Sequence, residues 1–250
     1  MVLGVIPSRF GAQRFPGKPL ALIRGKPLIQ HVYERARQSK LLDDVVVATD
    51  DQRIFDLVRQ FGGKVAMTSP NHPSGTDRVA EVAGSDVTPN GDDIVVNIQG
   101  DEPLLRPAMI DELVHGIAGD SDCAMATLAC AISDRAERQN PNVVKVVTGI
   151  SGNALYFSRH DIPFERQASN ALVHYKHIGI YAYRRRALLW LVALPPSPLE
   201  QAEQLEQLRA LENGLSIKVI LTQYETVSVD IPADVAAVES VLKGLESAGQ

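Results

Sequence analysis

Short apolar runs alternate with longer stretches of helical period through the first hundred residues. Residues 2–7 read as a buried strand, and residues 27–36 set Leu28, Ile29, Val32 and Ala36 on one helical face. Residues 45–49 form a second strand ending at Asp50-Asp51, which suits capping of a helix through Ile54, Leu57 and Val58. Phe61-Gly62-Gly63 closes that helix, and residues 65–67 begin another strand. Ser74-Gly75-Thr76-Asp77-Arg78 leads into a helix carrying Val79, Val82 and Ala83. Residues 94–98 are the next strand, closing on Gln99-Gly100-Asp101-Glu102-Pro103. Strands alternating with helices predict an α/β fold, a mostly parallel central sheet with helices on both faces.

The pattern changes in the second half. Residues 124–131, 143–147, 154–157 and 178–183 read as longer, more exposed strands with fewer helices between them, a smaller mixed or antiparallel lobe. Leu199, Ala202, Leu205, Leu208 and Leu211 recur every third residue along one expected helix, a stripe that reads first as core packing. Residues 217–221 and 227–229 supply late strands, and Asp230 to Asp234 opens a last helix. With no internal repeat or low-complexity linker, the reading is one domain over residues 1–250, with an acceptor-binding and dimerisation lobe over about residues 124–215.

Composition narrows the classes. A net charge of −5 and a pI near 5.7 argue against bulk attraction to nucleic acid or anionic membrane. Cys123 and Cys130 are the only cysteines and sit in apolar sequence, so they read as buried thiols with neither disulfide nor zinc spacing. No apolar run reaches transmembrane length and no basic leader precedes the first strand, so a cytoplasmic protein is expected.

Against that acidic background the loop after the first strand stands out. Arg9, Arg14 and Lys18 share it with Gly11, Gly17, Pro16 and Pro19. Ligands of open α/β sheets sit beyond the carboxyl ends of strands, and guanidinium forks match phosphate oxygens. The loop lacks the GxxxxGK[ST] and GxGxxG patterns, so it offers side-chain cations where those motifs offer a bare amide cradle. A nucleoside triphosphate is the expected ligand; a solvated surface loop is the alternative.

Asp101 ends an apolar strand directly after Gly100, and Asp230 has a similar setting. Carboxylates at strand ends facing a phosphate loop suit Mg²⁺, which takes one or two protein carboxylates and completes its shell with water and phosphate oxygens. Capping of the following helix is the competing role, the stronger one for Asp230. Arg159 and Arg166 flank Ile162-Pro163, and His177 and Tyr181 are spaced to share one face of a strand. Arg, His and Tyr on one wall would suit a carboxylated, hydroxyl-rich sugar; a satisfied histidine and a core tyrosine are the plain alternative.

Residues 7–20, PSRFGAQRFPGKPL, resemble the signature loop of the 3-deoxy-manno-octulosonate (Kdo) cytidylyltransferases. The resemblance continues in order through VVVATDD, SGTDRVAE, VVNIQGDEP, NPNVVKVV, ALYFSR, IPFER, KHIGIYAYR, PSPLEQAEQLEQLR and VDIPAD, over nearly the whole chain. It implies a Rossmann-like nucleotidyltransferase (GT-A-like) fold, Mg²⁺ dependence and a homodimer. It also implies the reaction CTP + Kdo → CMP-Kdo + diphosphate for lipopolysaccharide biosynthesis. Carried over by position, Arg9, Arg14 and Lys18 would hold the triphosphate, and Asp101 and Asp230 the metal. Ser74, Gly75, Thr76 and Gln99 would line the cytidine side. Gln99, Arg159, Arg166, His177, Tyr181, Glu206 and Gln207 would surround the sugar acid. Ala12-Gln13 stands where the loop often carries Ser and another small polar residue, and the segment 167–176 is short for the family. An 8-amino Kdo analogue, another acid sugar such as sialic acid, and a non-catalytic nucleotide-sugar binding protein are the competing readings.

Overall fold

The computed structural model describes residues 1–11, 14–85, 90–167 and 172–247. Ala12 and Gln13, the departure noted in the basic loop, lie outside the described residues, as do residues 168–171. In chain order the strands and helices begin with β1 (Val2–Ser8), a one-turn 3₁₀ helix (Lys18–Leu20), β2 (Leu22–Ile23), β3 (Lys26–Pro27), α1 (Leu28–Ala36) and β4 (Asp44–Thr49). Next come α2 (Gln52–Gln60), β5 (Val65–Met67), α3 (Gly75–Gly84), β6 (Ile94–Asn97), α4 (Pro107–Ala118), β7 (Met125–Ala131) and α5 (Arg135–Gln139). Then β8 (Lys145–Thr148), β9 (Ala154–Ser158), β10 (Tyr175–Arg184) and α6 (Arg185–Val192) follow. The chain ends with α7 (Pro198–Glu203), α8 (Gln207–Glu212), β11 (Ile217–Leu221) and α9 (Asp234–Ser247).

The main sheet is ordered β11–β7–β10–β6–β1–β4–β5. β1 pairs in parallel with β4 and β6, β4 with β5 and β11 with β7, while β10 alone runs antiparallel between β6 and β7. Alternation along β4 sends Val45 and Val47 to one face, with α1, α2, α4 and α9, and Val46 and Ala48 to the other, with α3, α6 and α8. Both faces are therefore covered, as the strand–helix alternation predicts. The carboxyl ends of β1, β4 and β6 share one edge.

Three expectations from the sequence need correction. The strand at 125–131 is not more exposed; six of its seven residues are buried, because it lies inside the main sheet between β11 and β10 with α4 packed against it. Residues 227–229 form no strand: Val229 is buried in the core, but its amide donates to the Asp101 carbonyl at 2.9 Å outside any ladder. The leucine stripe does not follow one helix. Gln204 takes a left-handed conformation (φ 53°, ψ 49°), breaking it into α7 and α8.

Strand β10 is long enough to pass the end of β6. Its pairing with β6 runs from Arg184 opposite Ile94 to Tyr181 opposite Asn97. Residues 175–178 continue beyond that end, pairing with β7, and with β8 at Tyr175 and Lys176. The antiparallel hairpin β8–β9 completes this smaller extension. A bulge between Ile178 and Tyr181 places two extra residues, Gly179 and Ile180, opposite the step from Leu128 to Thr127. Because the excess is even, His177 and Tyr181 stay on one face, with ring centroids 5.3 Å apart.

The loop after β1 is held in shape by its own groups. The Gly17 amide donates to the Phe10 carbonyl at 2.9 Å, and the Lys18 amide to that of Phe15 at 3.1 Å. Gly17 has φ 74°, a conformation that costs a side-chain-bearing residue about 1–2 kcal/mol. The Arg53 guanidinium, from α2, stacks 3.4 Å over the Phe10 ring. A Cβ on Gly17 would lie 3.0 Å from that ring. A Gly17→Ala variant should therefore lose about 1–2 kcal/mol of stability in urea unfolding; an unchanged midpoint and slope would contradict this account of the loop.

Candidate active site

The Gly17 turn feeds Lys18 into the 3₁₀ helix, whose capping bond from the Ala21 amide to the Lys18 carbonyl is 3.0 Å. The Lys18 side chain is thereby directed at two carboxylates. Its Nζ lies 2.7 Å from Asp101 Oδ2 and 3.8 Å from Asp230 Oδ1. Arg14 NH2 reaches the same Asp230 Oδ1 at 3.0 Å. Arg9, at the start of the loop, is exposed and lines the same cleft. The residues carrying charge in the sequence motif thus meet, although Lys18 and Asp230 are 212 positions apart.

Neither aspartate caps a helix. Asp234 accepts the Asp230 and Ile231 amides at 2.7 and 2.9 Å, leaving the Asp230 carboxylate to the cations. Gly100 makes the approach of Asp101 feasible, since a Cβ there would lie 2.9 Å from the Pro7 carbonyl oxygen. Beside them Glu102 is buried, and its hydroxyl partner Thr226 at 3.2 Å ties the segment bearing Asp230 to the loop bearing Asp101. Burial, and then the neighbouring charge of Asp101, push the Glu102 carboxyl up to about 8, with Thr226 partly opposing. Asp101 and Asp230 offer oxygen donors alone and already converge on one cation. No group of three or more His, Cys, Asp or Glu side chains suited to a metal occurs among the described residues. Two carboxylates next to a phosphate-sized cleft fit Mg²⁺, which keeps most of its shell for water and phosphate.

These groups border a cleft of about 560 Å³ at the shared strand edge. Its far wall is Ser74 and Gly75 at the start of α3, with His72, Pro73, Gln99 and Arg78. Ser74 caps α3, accepting the Asp77 amide at 3.3 Å, and Gly75 packs on Pro7. Arg78 is buried and spends its charge on Asp50 at 2.8 Å, so it braces the wall.

The residues assigned to the sugar divide into two groups. Tyr181, Glu206 and Gln207 line a small hollow together with Thr76, Tyr183 and Arg209. Thr76, expected on the cytidine side, donates its hydroxyl to Glu206 and so belongs to this hollow. Gln99 lines the larger cleft and borders the bulge of β10 at Gly179. His177 touches Tyr181 and meets Phe157 edge-on. Burial pushes its imidazole down to about 3, so it is neutral at physiological pH. Thr127 Oγ1 lies 2.8 Å from the Ile180 carbonyl and 3.0 Å from His177 Nε2. With its single proton given to the carbonyl, the hydroxyl accepts from Nε2–H and fixes the tautomer.

Arg159 and Arg166 lie outside both sets of lining residues. The Arg159 guanidinium donates to the carbonyls of Glu203, Pro141 and Gln204 at 2.7, 3.1 and 3.3 Å, holding the joint between α7 and α8. Arg166 is exposed on a turn fixed by Arg138, which forks onto Asp161 and reaches Glu165. Sequence reasoning overlooked Ser8, His72, Arg78, Asn97 and Tyr183. Asn97 had a readable signal, a polar residue ending a buried apolar strand. Ser8 Oγ on the cleft and Gln207 Nε2 on the hollow are buried without hydrogen-bond partners, polar atoms that a hydroxyl-rich ligand would satisfy; Asn97, whose amide donates to Thr76 at 3.4 Å, also leaves its Oδ1 unpaired.

Comparison with known proteins agrees with this geometry. A family model described as Cytidylyltransferase matches residues 3–218. The 3-deoxy-manno-octulosonate cytidylyltransferase of Geobacter sulfurreducens is 50% identical over 252 residues, covering 97% of this chain and 99% of that protein. The protein of the same name from Thermodesulfovibrio yellowstonii is 51% identical over 249 residues, covering 95% and 96%. A solved structure of CMP:2-keto-3-deoxy-manno-octonic acid synthetase complexed with CTP has a TM-score of 0.91 and 45% identity, covering 97% of this chain and 98% of that one. 4-Diphosphocytidyl-2C-methyl-D-erythritol synthase, at 13% identity, shares the fold with a TM-score of 0.66 over 96% of this chain and 97% of its own. Matched along almost its entire length, the chain belongs to the 3-deoxy-manno-octulosonate cytidylyltransferase family.

Proposed function

We propose that this cleft performs CTP + Kdo → CMP-Kdo + diphosphate, activating the sugar acid for lipopolysaccharide biosynthesis. The observation that carries the reading is the meeting of Arg14 and Lys18 with Asp101 and Asp230 at one strand edge. The chemical difficulty is electrostatic: a sugar anion must bring its anomeric oxygen to the α-phosphorus of a more highly charged nucleotide. Arg9, Arg14 and Lys18 neutralise the triphosphate, and Ser74, Gly75 and Gln99 enclose the cytidine side. Asp101 and Asp230 would hold Mg²⁺, which would stabilise charge developing at the transferring phosphoryl group.

On the acceptor side, Tyr181, Glu206, Gln207 and Gln99 receive the sugar hydroxyls, with Thr76 orienting Glu206. His177, being neutral, offers a hydrogen bond and no charge. The resemblance assigns Arg166 to the sugar carboxylate, although its exposed turn borders neither cavity, while Arg159 acts through the α7–α8 joint. Attack by the anomeric hydroxyl oxygen forms the new P–O bond as the bond to diphosphate breaks and the hydroxyl proton passes to water, and no protein nucleophile is required. A homodimer is part of the proposal, supported by the hairpin β8–β9, which exposes Ile150 and Leu155. So is a cytoplasmic location, where CTP is made. No helix among the described residues is long and apolar enough to cross a membrane.

Diphosphate release from CTP should require both Mg²⁺ and Kdo, with sialate and the 8-amino analogue poorer acceptors. Tight CTP binding without release for any sugar acid would leave only a binding protein. Asp101→Asn should lower turnover at least about a hundredfold with an unchanged circular dichroism spectrum; normal turnover at saturating substrates refutes its assignment. Ile150→Asp with Leu155→Asp should shift the sedimentation coefficient from dimer to monomer, and a dimer that persists would move the interface elsewhere. His177 also makes a pH prediction. Its folded value of about 3 lies below the ordinary 6.5, so the unfolded chain binds a proton the native one refuses. Stability therefore falls as pH drops from 6.5 towards 3, by up to about 1.4 kcal/mol per pH unit from this group. Between pH 7 and pH 5 a His177→Gln variant should show the shallower loss in urea unfolding; parallel slopes would count against a neutral His177.

A further inference from the structure

We infer that Lys18 and Arg14 close the carboxylate pair to divalent metal until a triphosphate draws them away, so that metal and nucleotide are taken up together. The inference rests on the cytidylyltransferase reading and deepens it. Each aspartate is already counter-charged: Asp101 by Lys18 at 2.7 Å, and Asp230 by Arg14 at 3.0 Å and Lys18 at 3.8 Å. Both carboxylates are in contact with a cation, and Asp234, which holds the Asp230 amide, feels the same two cations, so much of the attraction the pair would offer a hydrated dication is already offset. The obstruction is also steric. A magnesium ion needs carboxylate oxygens at about 2.1 Å, and the Lys18 ammonium stands against Asp101 Oδ2 and faces Asp230 Oδ1.

The same two cations border the cleft in which the triphosphate is placed. A triphosphate brings several negative charges and a fork-matched set of oxygens, making it the stronger partner for guanidinium and ammonium. The exchange needs no backbone movement. Arg14 is largely exposed, at 68%, and Lys18 can swing its four-carbon stem from its anchor in the 3₁₀ helix. Once the cations turn to phosphate, the aspartates become an uncompensated dianion beside the phosphate oxygens that complete a metal shell. The coupling is reciprocal: whatever factor nucleotide adds to metal affinity, metal adds to nucleotide affinity.

The test measures Mn²⁺ binding to the full chain without nucleotide, by loss of the free-ion electron paramagnetic resonance signal. Lys18→Met preserves stem length and removes the charge, and should bind Mn²⁺ at least about tenfold more tightly than the wild type. Adding Asp101→Asn to that variant should abolish the gain. Arg14→Met, a change at an exposed side chain, should give a smaller gain in the same direction. Equal Mn²⁺ affinity for the wild type, Lys18→Met and Arg14→Met, with weakened binding by Asp101→Asn alone, overturns the coupling and leaves the aspartates as metal ligands. If Asp101→Asn binds Mn²⁺ in the presence of CTP as tightly as the wild type, the metal assignment itself fails and the coupling falls with it.

Discussion

The 2.7 Å contact between the Lys18 ammonium and the Asp101 carboxylate joins the two chemistries of the cleft. One partner comes from the loop after β1 and the other from the loop after β6, and these strands are neighbours in the parallel sheet. Parallel pairing puts both carboxyl ends at the same edge, so charges 83 positions apart in the chain meet without any special device. The third member, Asp230, arrives on an extended segment that the Asp101 carbonyl and Glu102 hold in place. In the proposed reaction this convergence lets two anions come into contact.

The acceptor side depends on a different constraint, the length and direction of β10. Because it runs antiparallel and passes the end of β6, His177 and Tyr181 stand above the same edge as the basic loop after β1. The bulge at Gly179 and Ile180 could have rotated one of those rings away from the other. An excess of two residues preserves the facing, and the Thr127 hydroxyl occupies the irregular step. The bend at Gln204 does comparable work on the other wall, ending α7 so that Glu206 and Gln207 start α8 beside Tyr181. Arg159 holds that bend through main-chain carbonyls, which is how a residue outside the hollow bears on its shape.

Local patterns made the first half of the fold readable. The runs at 45–49 and 94–98 are largely apolar, and of their polar ends Gln99-Gly100-Asp101 borders the cleft while Asp50 braces Arg78 behind its wall. Asp51 caps α2 as its position suggests, and both cysteines are buried and free. The errors have physical causes. Residues 227–229 carry strand-like apolar residues because Val229 enters the core, yet burial does not require a ladder partner. The leucine stripe read as core packing, yet only its second half is: Leu205 and Leu208 are buried and Leu211 partly so, while Leu199 and Ala202 on α7 are exposed, and no propensity announces a left-handed glutamine. Glu206 was singled out only through resemblance, and its meeting with Thr76, which was expected on the cytidine side, was not legible, since residues 130 positions apart leave no periodic trace. Helix α4, by contrast, carries Pro107 at its start and Met109, Ile110, Leu113, Val114 and Ile117 on its buried face, a readable pattern that the strand-centred reading of the second half overlooked.

The convergence of loop cations and acidic anchors on a single triphosphate is tested most directly by a crystal structure of this chain with CTP and Mg²⁺. The account places the triphosphate between the Arg14–Lys18 loop and the Asp101–Asp230 pair, with Lys18 Nζ moved from Asp101 onto phosphate oxygens. A triphosphate bound away from this edge, with the Lys18–Asp101 contact intact, would contradict it.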